Sequence, residues 1–283
     1  MRAQKLKGNV ENWKIHINGL KQIVELRGGI ETFSSKRLLR NKIHRYVISF
    51  LRLSTSLVLI DIRADLCGSI DLVQKPVFEF YRESPTIAGC RAGEFVGIKS
   101  GFNLDQRLEK ITRQVHEITL NMNLIHLKTA DIHPLSLRED ITSLQYALLS
   151  LDFQSDDGPH QLINRTVQLA YLIYLVTILD EALPGGSICD GLGRRLASCL
   201  EKLPPGELFT DEFLLWVAFC AASIVINVPS RTIFQELAIR CREGLRLISW
   251  DDAEATFRSF FWIENIHGKS FRRVWKALEQ LES

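Results

Sequence analysis

The chain has 283 residues, of which 46% are hydrophobic and 24% charged, and its net charge is +2. This composition excludes an intrinsically disordered chain, and the near balance of charge excludes a molecule-wide affinity for polyanions. The length suits one large helical domain or two small ones.

In chain order, Trp13, Ile17, Leu20 and Val24 recur at steps of four, three and four. That spacing predicts a helix over 10–27 with these residues on one face, and Gly19 beside that face would let another backbone come close. The rhythm stops at Leu26, just before Arg27-Gly28-Gly29. Glycine just past a periodic run reads as a helix stop, because a phosphate loop needs a strand before the glycines and a helix after them. A second helix is predicted over 36–66, with Leu39, Ile43, Val47 and Leu51 on its apolar face. Lys36, Arg37, Arg40, Lys42, Arg45 and Arg52 make it basic, and residues 1–63 hold 13 Lys or Arg against 4 Asp or Glu. The charge reads as a solvated helix face. A nucleic-acid footprint is the alternative, but no DNA-reading motif accompanies it.

Residues 76–103, with Pro76, Pro85 and four glycines, form the longest irregular stretch. Further helices are predicted over 104–127, 136–152, 160–182, 188–202, 210–226, 230–246, 250–263 and 269–281. Ser136 with Glu139 reads as a capping box, Thr210 or Asp211 as an N-cap, and Ser249 as a cap ahead of first-turn acids. Asp156-Asp157-Gly158-Pro159, Pro184-Gly185-Gly186 and Pro204-Pro205-Gly206 read as breaks between helices. The apolar runs 167–179 and 213–226 fall short of the roughly 20 residues that a membrane span needs, so buried helices are expected there. The whole is an all-α chain of about ten helices forming a single domain over 1–283.

Motifs that carry chemistry are scarce. The closest two of the six cysteines, Cys189 and Cys199, are ten residues apart, so structural zinc spacing is absent. No signal-peptide core follows Met1, and free thiols are expected. There is no Gly-x-Ser-x-Gly elbow and no His-Glu-x-x-His. Gly191-x-Gly193 is a lone glycine pair, and the seven histidines are scattered. One constellation suggests an enzyme. Asp61 and Asp65 share a helix face at i, i+4 and could hold Mg²⁺ against a diphosphate, as in an all-helical isoprenoid synthase, with Asp251, Asp252 and Glu254 as a second acidic group. Against it, Asp251 and Asp252 read as first-turn acids, and Arg63 offers Asp65 a countercharge.

The stretch "WKIHINGLKQIVELRGGI" resembles a signature of the fungal-specific transcription factor domain, the helical regulatory region of many fungal binuclear zinc-cluster activators. Trp13, His16, Gly19, Leu20, Arg27, Gly28 and Gly29 match its pattern. "DIRADLCGSIDLVQKPVF" looks like the next block, with Asp65, Pro76 and Phe78 in the expected places. "RTVQLAYLIYLVTIL" is similar to the family's central apolar helix. Leu215-Trp216, Ser249-Trp250, Phe261-Trp262-Ile263 and Val274-Trp275 follow in the order of its C-terminal end.

The resemblance implies a non-enzymatic regulatory and interaction module, without cofactor and without catalytic, cofactor-binding or metal residues, that answers to a small-molecule effector or a partner protein. It implies a nuclear location, while a cytoplasmic one stays open because no targeting signal is evident. Two departures bear on it. The family's zinc cluster is absent, so no sequence-specific DNA binding by this chain alone is expected. The Trp13–His16 helix also stands close to Met1, whereas the family's regulatory region begins well upstream, so the domain is expected to be truncated at its N-terminus. Its N-terminal helices would then be incompletely covered and open to a protein partner or to a homo-oligomer.

Overall fold

The two apolar runs too short to span a membrane become the two central helices of the fold. A computed structural model describes residues 10–29, 66, 69–70, 72–77, 103–127, 134–153, 158–178, 188–204 and 208–282. Among them are nine helices and no β-sheet: α1 (Val10–Leu26), α2 (Gln106–His126), α3 (Pro134–Leu149), α4 (Pro159–Ile178), α5 (Ile188–Glu201), α6 (Asp211–Ile224), α7 (Val228–Gly244), α8 (Trp250–Arg258) and α9 (Glu264–Glu282). In α6 ten consecutive residues, Phe213 to Ala222, are buried. A helix apolar all round must be enclosed on all sides, and α6 packs against α4, α7, α8 and α9. The equally buried α4 packs against α2, α3, α5 and α6. One continuous core results, running from Leu66 to Leu278. Among the described residues no helix is long and apolar enough to cross a membrane.

Local signals act where the sequence places them, with three differences. Gly28 and Gly29 have φ of +88° and +92°, and the Gly29 N–H donates to the Val24 carbonyl at 2.9 Å. Arg27-Gly28-Gly29 is therefore a left-handed helix stop. Thr210 caps α6 by accepting from the Phe213 N–H, and Ser249 with Asp252 forms a reciprocal capping box at α8. The box expected from Ser136 and Glu139 does not cap α3. The helix already begins at Pro134, whose fixed φ suits a first turn, so Ser136 lies inside it. The predicted helix over 250–263 stops at Arg258, and the one predicted from 269 begins at Glu264. The reason is that Phe261, Trp262 and Ile263 are all buried. The helix 250–258 buries only Ala253 and Phe257 and so is seated on one side, unlike the enclosed α6; on such a helix three consecutive side chains cannot all turn inward, and the chain breaks into a turn that buries them together. The predicted helix 36–66, all but its last residue, and most of 76–103 lie outside the described residues.

Gln168 joins two of the layers. It is fully buried on α4, and its Nε2 donates to the carbonyls of Leu148 at 2.6 Å and Leu151 at 3.0 Å, at the end of α3. The Leu148 carbonyl also accepts from the Leu151 N–H at 3.1 Å, so Gln168 adds a second donor there and supplies one to the Leu151 carbonyl. Its Oε1 accepts from Arg165 Nη1 at 2.8 Å, and burial pushes that guanidinium below its ordinary value. Between α5 and the α6–α7 connection, Gly193 has a packing role. A Cβ there would stand 2.6 Å from Val225 Cγ2. Beside it Asp190 Oδ1 accepts from the Ile226 and Asn227 N–H groups at 3.0 and 2.9 Å. We predict that Gln168→Leu, which keeps the volume but removes the side-chain donor shared by the Leu148 and Leu151 carbonyls, destabilises the chain by about 1–3 kcal/mol. Urea unfolding measures this, and a midpoint equal to that of the parent chain would refute it.

Candidate functional site

The densest convergence of side chains lies where α2, α4 and α6 meet the α8–α9 turn. Trp216, fully buried on α6, stands with its ring centre 5.5 Å from Tyr174 and 5.5 Å from Phe261. Trp262 stacks on Phe257 at 5.9 Å and meets Phe271 edge-on at 5.7 Å. Phe219 closes on Phe257 at 4.7 Å. Trp216, Phe219, Phe261 and Trp262 belong to one core, and Trp250 packs against it half-buried. Burying one such ring contributes about 4–6 kcal/mol. That outweighs the roughly 1–3 kcal/mol lost because Trp216 Nε1 has no hydrogen-bond partner.

Apart from the Trp216 N–H, the polar groups described in this region are bound to one another or to the backbone. Thr112 and Thr119 on α2 each donate their hydroxyl to their own helix, at the carbonyls of Leu108 and Val115. Tyr171 and Tyr174 therefore donate to the threonine oxygens, at 2.9 and 2.6 Å. Burial raises both phenols above their ordinary pKa. Asn123 clamps the α8–α9 turn, its Nδ2 donating to the Trp262 carbonyl at 2.7 Å and its Oδ1 accepting from the Glu264 N–H at 3.3 Å.

His267 is fully buried among Tyr174, Trp262 and Phe271. Its Nδ1 accepts from the Ile263 N–H at 2.9 Å, so the ring proton sits on Nε2 and faces Thr177 Oγ1 at 3.3 Å. Thr177 in turn donates to the Tyr174 carbonyl. Desolvation drives the imidazole pKa down to about 3, so the ring stays neutral.

On the outer side, three tryptophans repeat one arrangement. The indole N–H groups of Trp250, Trp262 and Trp275 donate to Glu254, Glu264 and Glu279 at 2.6, 3.0 and 2.7 Å. Arg272, Arg258 and Arg242 lie over the same three rings at 5.1, 5.6 and 5.0 Å. Arg258 also pairs with both Glu254 and Glu264, and these contacts hold the Glu254 carboxyl below its ordinary value.

Existing bonds commit two of the three carboxylates of the second acidic group, Asp252 and Glu254, and Asp251 is exposed. Asp252 accepts from the Ser249 N–H and hydroxyl at 3.0 and 2.7 Å, and Glu254 is engaged by Trp250, Arg258 and Arg272. Asp61 and Asp65, the first pair, lie outside the described residues. Among the described residues no group of three His, Cys, Asp or Glu side chains is placed to hold a metal ion. Cys220 and Cys241 are buried thiols, the latter pushed up to about 12. A shallow recess between α5, α6 and α7 is lined by Leu200, Leu203, Leu208, Phe209 and Leu237, with Arg240 beside them. It offers apolar contact and one cation.

The sequence matches the fungal specific transcription factor domain over residues 3–281. The chain belongs to this family. No curated protein and no solved structure matches it. In this member of the fungal family, Trp216, Trp262 and Trp275 are buried, and Trp250 is half-buried at the rim. Pro76 is buried as well, while Phe78, like Asp65, lies outside the described residues. Trp13, His16 and Leu20 lie on α1 without described side chains. Sequence reasoning missed His267, Asn123, Gln168 and the two Tyr–Thr pairs. Spacing carried no signal for them, because their partners are brought close only by folding. The polar Asn164, Gln168, Tyr171 and Tyr174 within the apolar run of α4 were the one available hint.

Two predictions follow from this packing. Trp262→Ala removes a buried ring, its stack on Phe257 and its bond to Glu264, and is expected to cost about 3–5 kcal/mol. An unchanged melting temperature would refute that. The second concerns His267. Its folded pKa of about 3 lies below the ordinary 6.5, so between these values the unfolded chain binds a proton that the folded chain does not. His267 therefore takes nothing from stability above pH 6.5, and up to about 1.4 kcal/mol per pH unit as pH falls toward 3. His267→Gln keeps an acceptor for the Ile263 N–H but cannot titrate. The parent should lose melting temperature faster than this variant between pH 6.5 and 4, and parallel curves would refute the assignment.

Proposed function

We infer from membership of the family that this chain has a regulatory role in a fungal transcription factor. We propose that it acts there as a non-enzymatic module that responds to a small effector or to a partner protein, and that it works in the nucleus. The observation that carries this reading is the match over residues 3–281. The core is consistent with it, since the polar groups described at the α2–α4–α6 convergence are spent on internal bonds rather than directed into a cleft. Such a module acts by having two packings to which a ligand or partner binds unequally. A protein partner would meet the exposed apolar side chains of the N-terminal helix.

On the same reading the chain by itself does not select a DNA sequence, and its basic residues 36–52 contact phosphate alone. The test is to fuse the whole chain to a heterologous DNA-binding domain in a fungal reporter strain. Reporter output is expected to change several-fold relative to that domain alone, and Trp262→Ala should abolish the change. No change in output would overturn the proposal. Fluorescence anisotropy of the unfused chain should show weak duplex binding that fades with salt, and nanomolar, sequence-selective binding at physiological salt would overturn the DNA part.

A further inference from the structure

Helix α1 carries apolar residues on two faces. Val24 is 5% exposed, so one face is already seated. Ile15 stands nine positions earlier, about 180° away around the helix, and is 66% exposed. Leu26 returns to within about 20° of Ile15 and is 87% exposed, and Ile23, beside them, is 53% exposed. A helix apolar on both sides is stable in water only when both are covered.

Gly19 lies in the middle of the uncovered face. Sequence reasoning expects it to admit a neighbouring backbone, yet a Cβ built on it meets nothing within 4 Å. A glycine inside a helix costs about 1 kcal/mol relative to alanine, and among the described residues no close approach accounts for it. The residues at steps of four read Glu11, Ile15, Gly19, Ile23, Arg27. This ladder complements itself when reversed. Turned end to end about Gly19, Ile15 falls opposite Ile23, Gly19 opposite Gly19, and position 11, an acid, opposite position 27, a base. The charge order thus selects a second copy of the same helix, running antiparallel, as the occupant.

We propose that this face of α1 pairs with the same face of a second chain, the two helices crossing at Gly19 about a two-fold axis. The pairing is isologous, so it closes as a dimer and leaves no free end for further growth. Gly19 brings the two backbones together and the isoleucines close over the crossing on each side. The proposal rests on reading the N-terminal helix as an interaction surface, and specifies its partner.

The test uses the full chain. Light scattering coupled to size exclusion at tens of micromolar should give a dimer, and Gly19→Leu should shift it to monomer without moving the melting temperature of the core. Cysteine cross-linking then reads the geometry. Gly19→Cys should give at least tenfold more covalent dimer under mild oxidation than the parent chain with its own cysteines. Ile15→Cys alone should stay at the parent level, because two such positions are offset by eight residues, about 12 Å, beyond disulfide reach. A mixture of Ile15→Cys and Ile23→Cys chains should cross-link. A monomer at every concentration would overturn the proposal, as would Ile15→Cys cross-linking with itself as readily as Gly19→Cys. Retention of the dimer in Gly19→Leu would overturn it too. A chain active in the reporter but monomeric would overturn the pairing and leave the regulatory reading standing. A cross-linked dimer without reporter activity would do the reverse.

Discussion

The burial of three consecutive residues, Phe261, Trp262 and Ile263, is the constraint on which the C-terminal half depends. The enclosed α6 can bury every side chain, but a helix seated on one side only, as α8 is, cannot point three successive side chains inward. The chain therefore leaves helical geometry after Arg258 and resumes it at Glu264. The backbone groups exposed by that break need partners, and Asn123 on α2 supplies one for the Trp262 carbonyl and one for the Glu264 N–H. His267 takes the Ile263 N–H. A single turn thus draws α2, α4, α6 and α9 to one place, and the aromatic rings fill the space between them.

Inside that space, polarity is tolerated because it is spent. The threonines on α2 satisfy their own helix and still accept from the tyrosines on α4. Gln168 closes the end of α3 from within α4. A buried group held this way is costly to disturb singly. A core of this kind responds to a ligand or a partner by shifting between whole packings rather than by presenting one reactive group. The rim works differently. There each of three tryptophans keeps its N–H on a glutamate and its face beneath an arginine, a contact that water and salt weaken but that tethers α7, α8 and α9 along their outer edge.

The N-terminal helix follows the opposite logic. The core helices are enclosed by their neighbours, whereas α1 leaves isoleucines and a leucine exposed around a glycine that no described residue approaches. The glycine stop at Gly28-Gly29 ends the helix cleanly, so its exposed face is a defined surface of fixed length. This contrast between a closed C-terminal core and an open N-terminal face makes α1 the place where assembly is to be sought.

Much of this fold was legible in the sequence. Apolar periodicity marked α1, α2 and α4 to α7 to within a few residues, and the caps Thr210 and Ser249 with the stop at Gly28 were read from residue type alone. These features are local. A helix period, a cap or a left-handed glycine is decided by residues within one or two turns, so the linear string already holds it. What the string could not decide is which groups meet across distance. The clamp of Asn123 on a turn 139 residues away, the neutral tautomer of His267 and the service of Gln168 to another helix depend on how whole helices dock. So does the break at 259–263, where local periodicity favoured a continuous helix and the burial of three neighbours overruled it. Propensity acts along the chain, whereas desolvation acts between elements, and in this protein the second decided the polar contacts that join its helices.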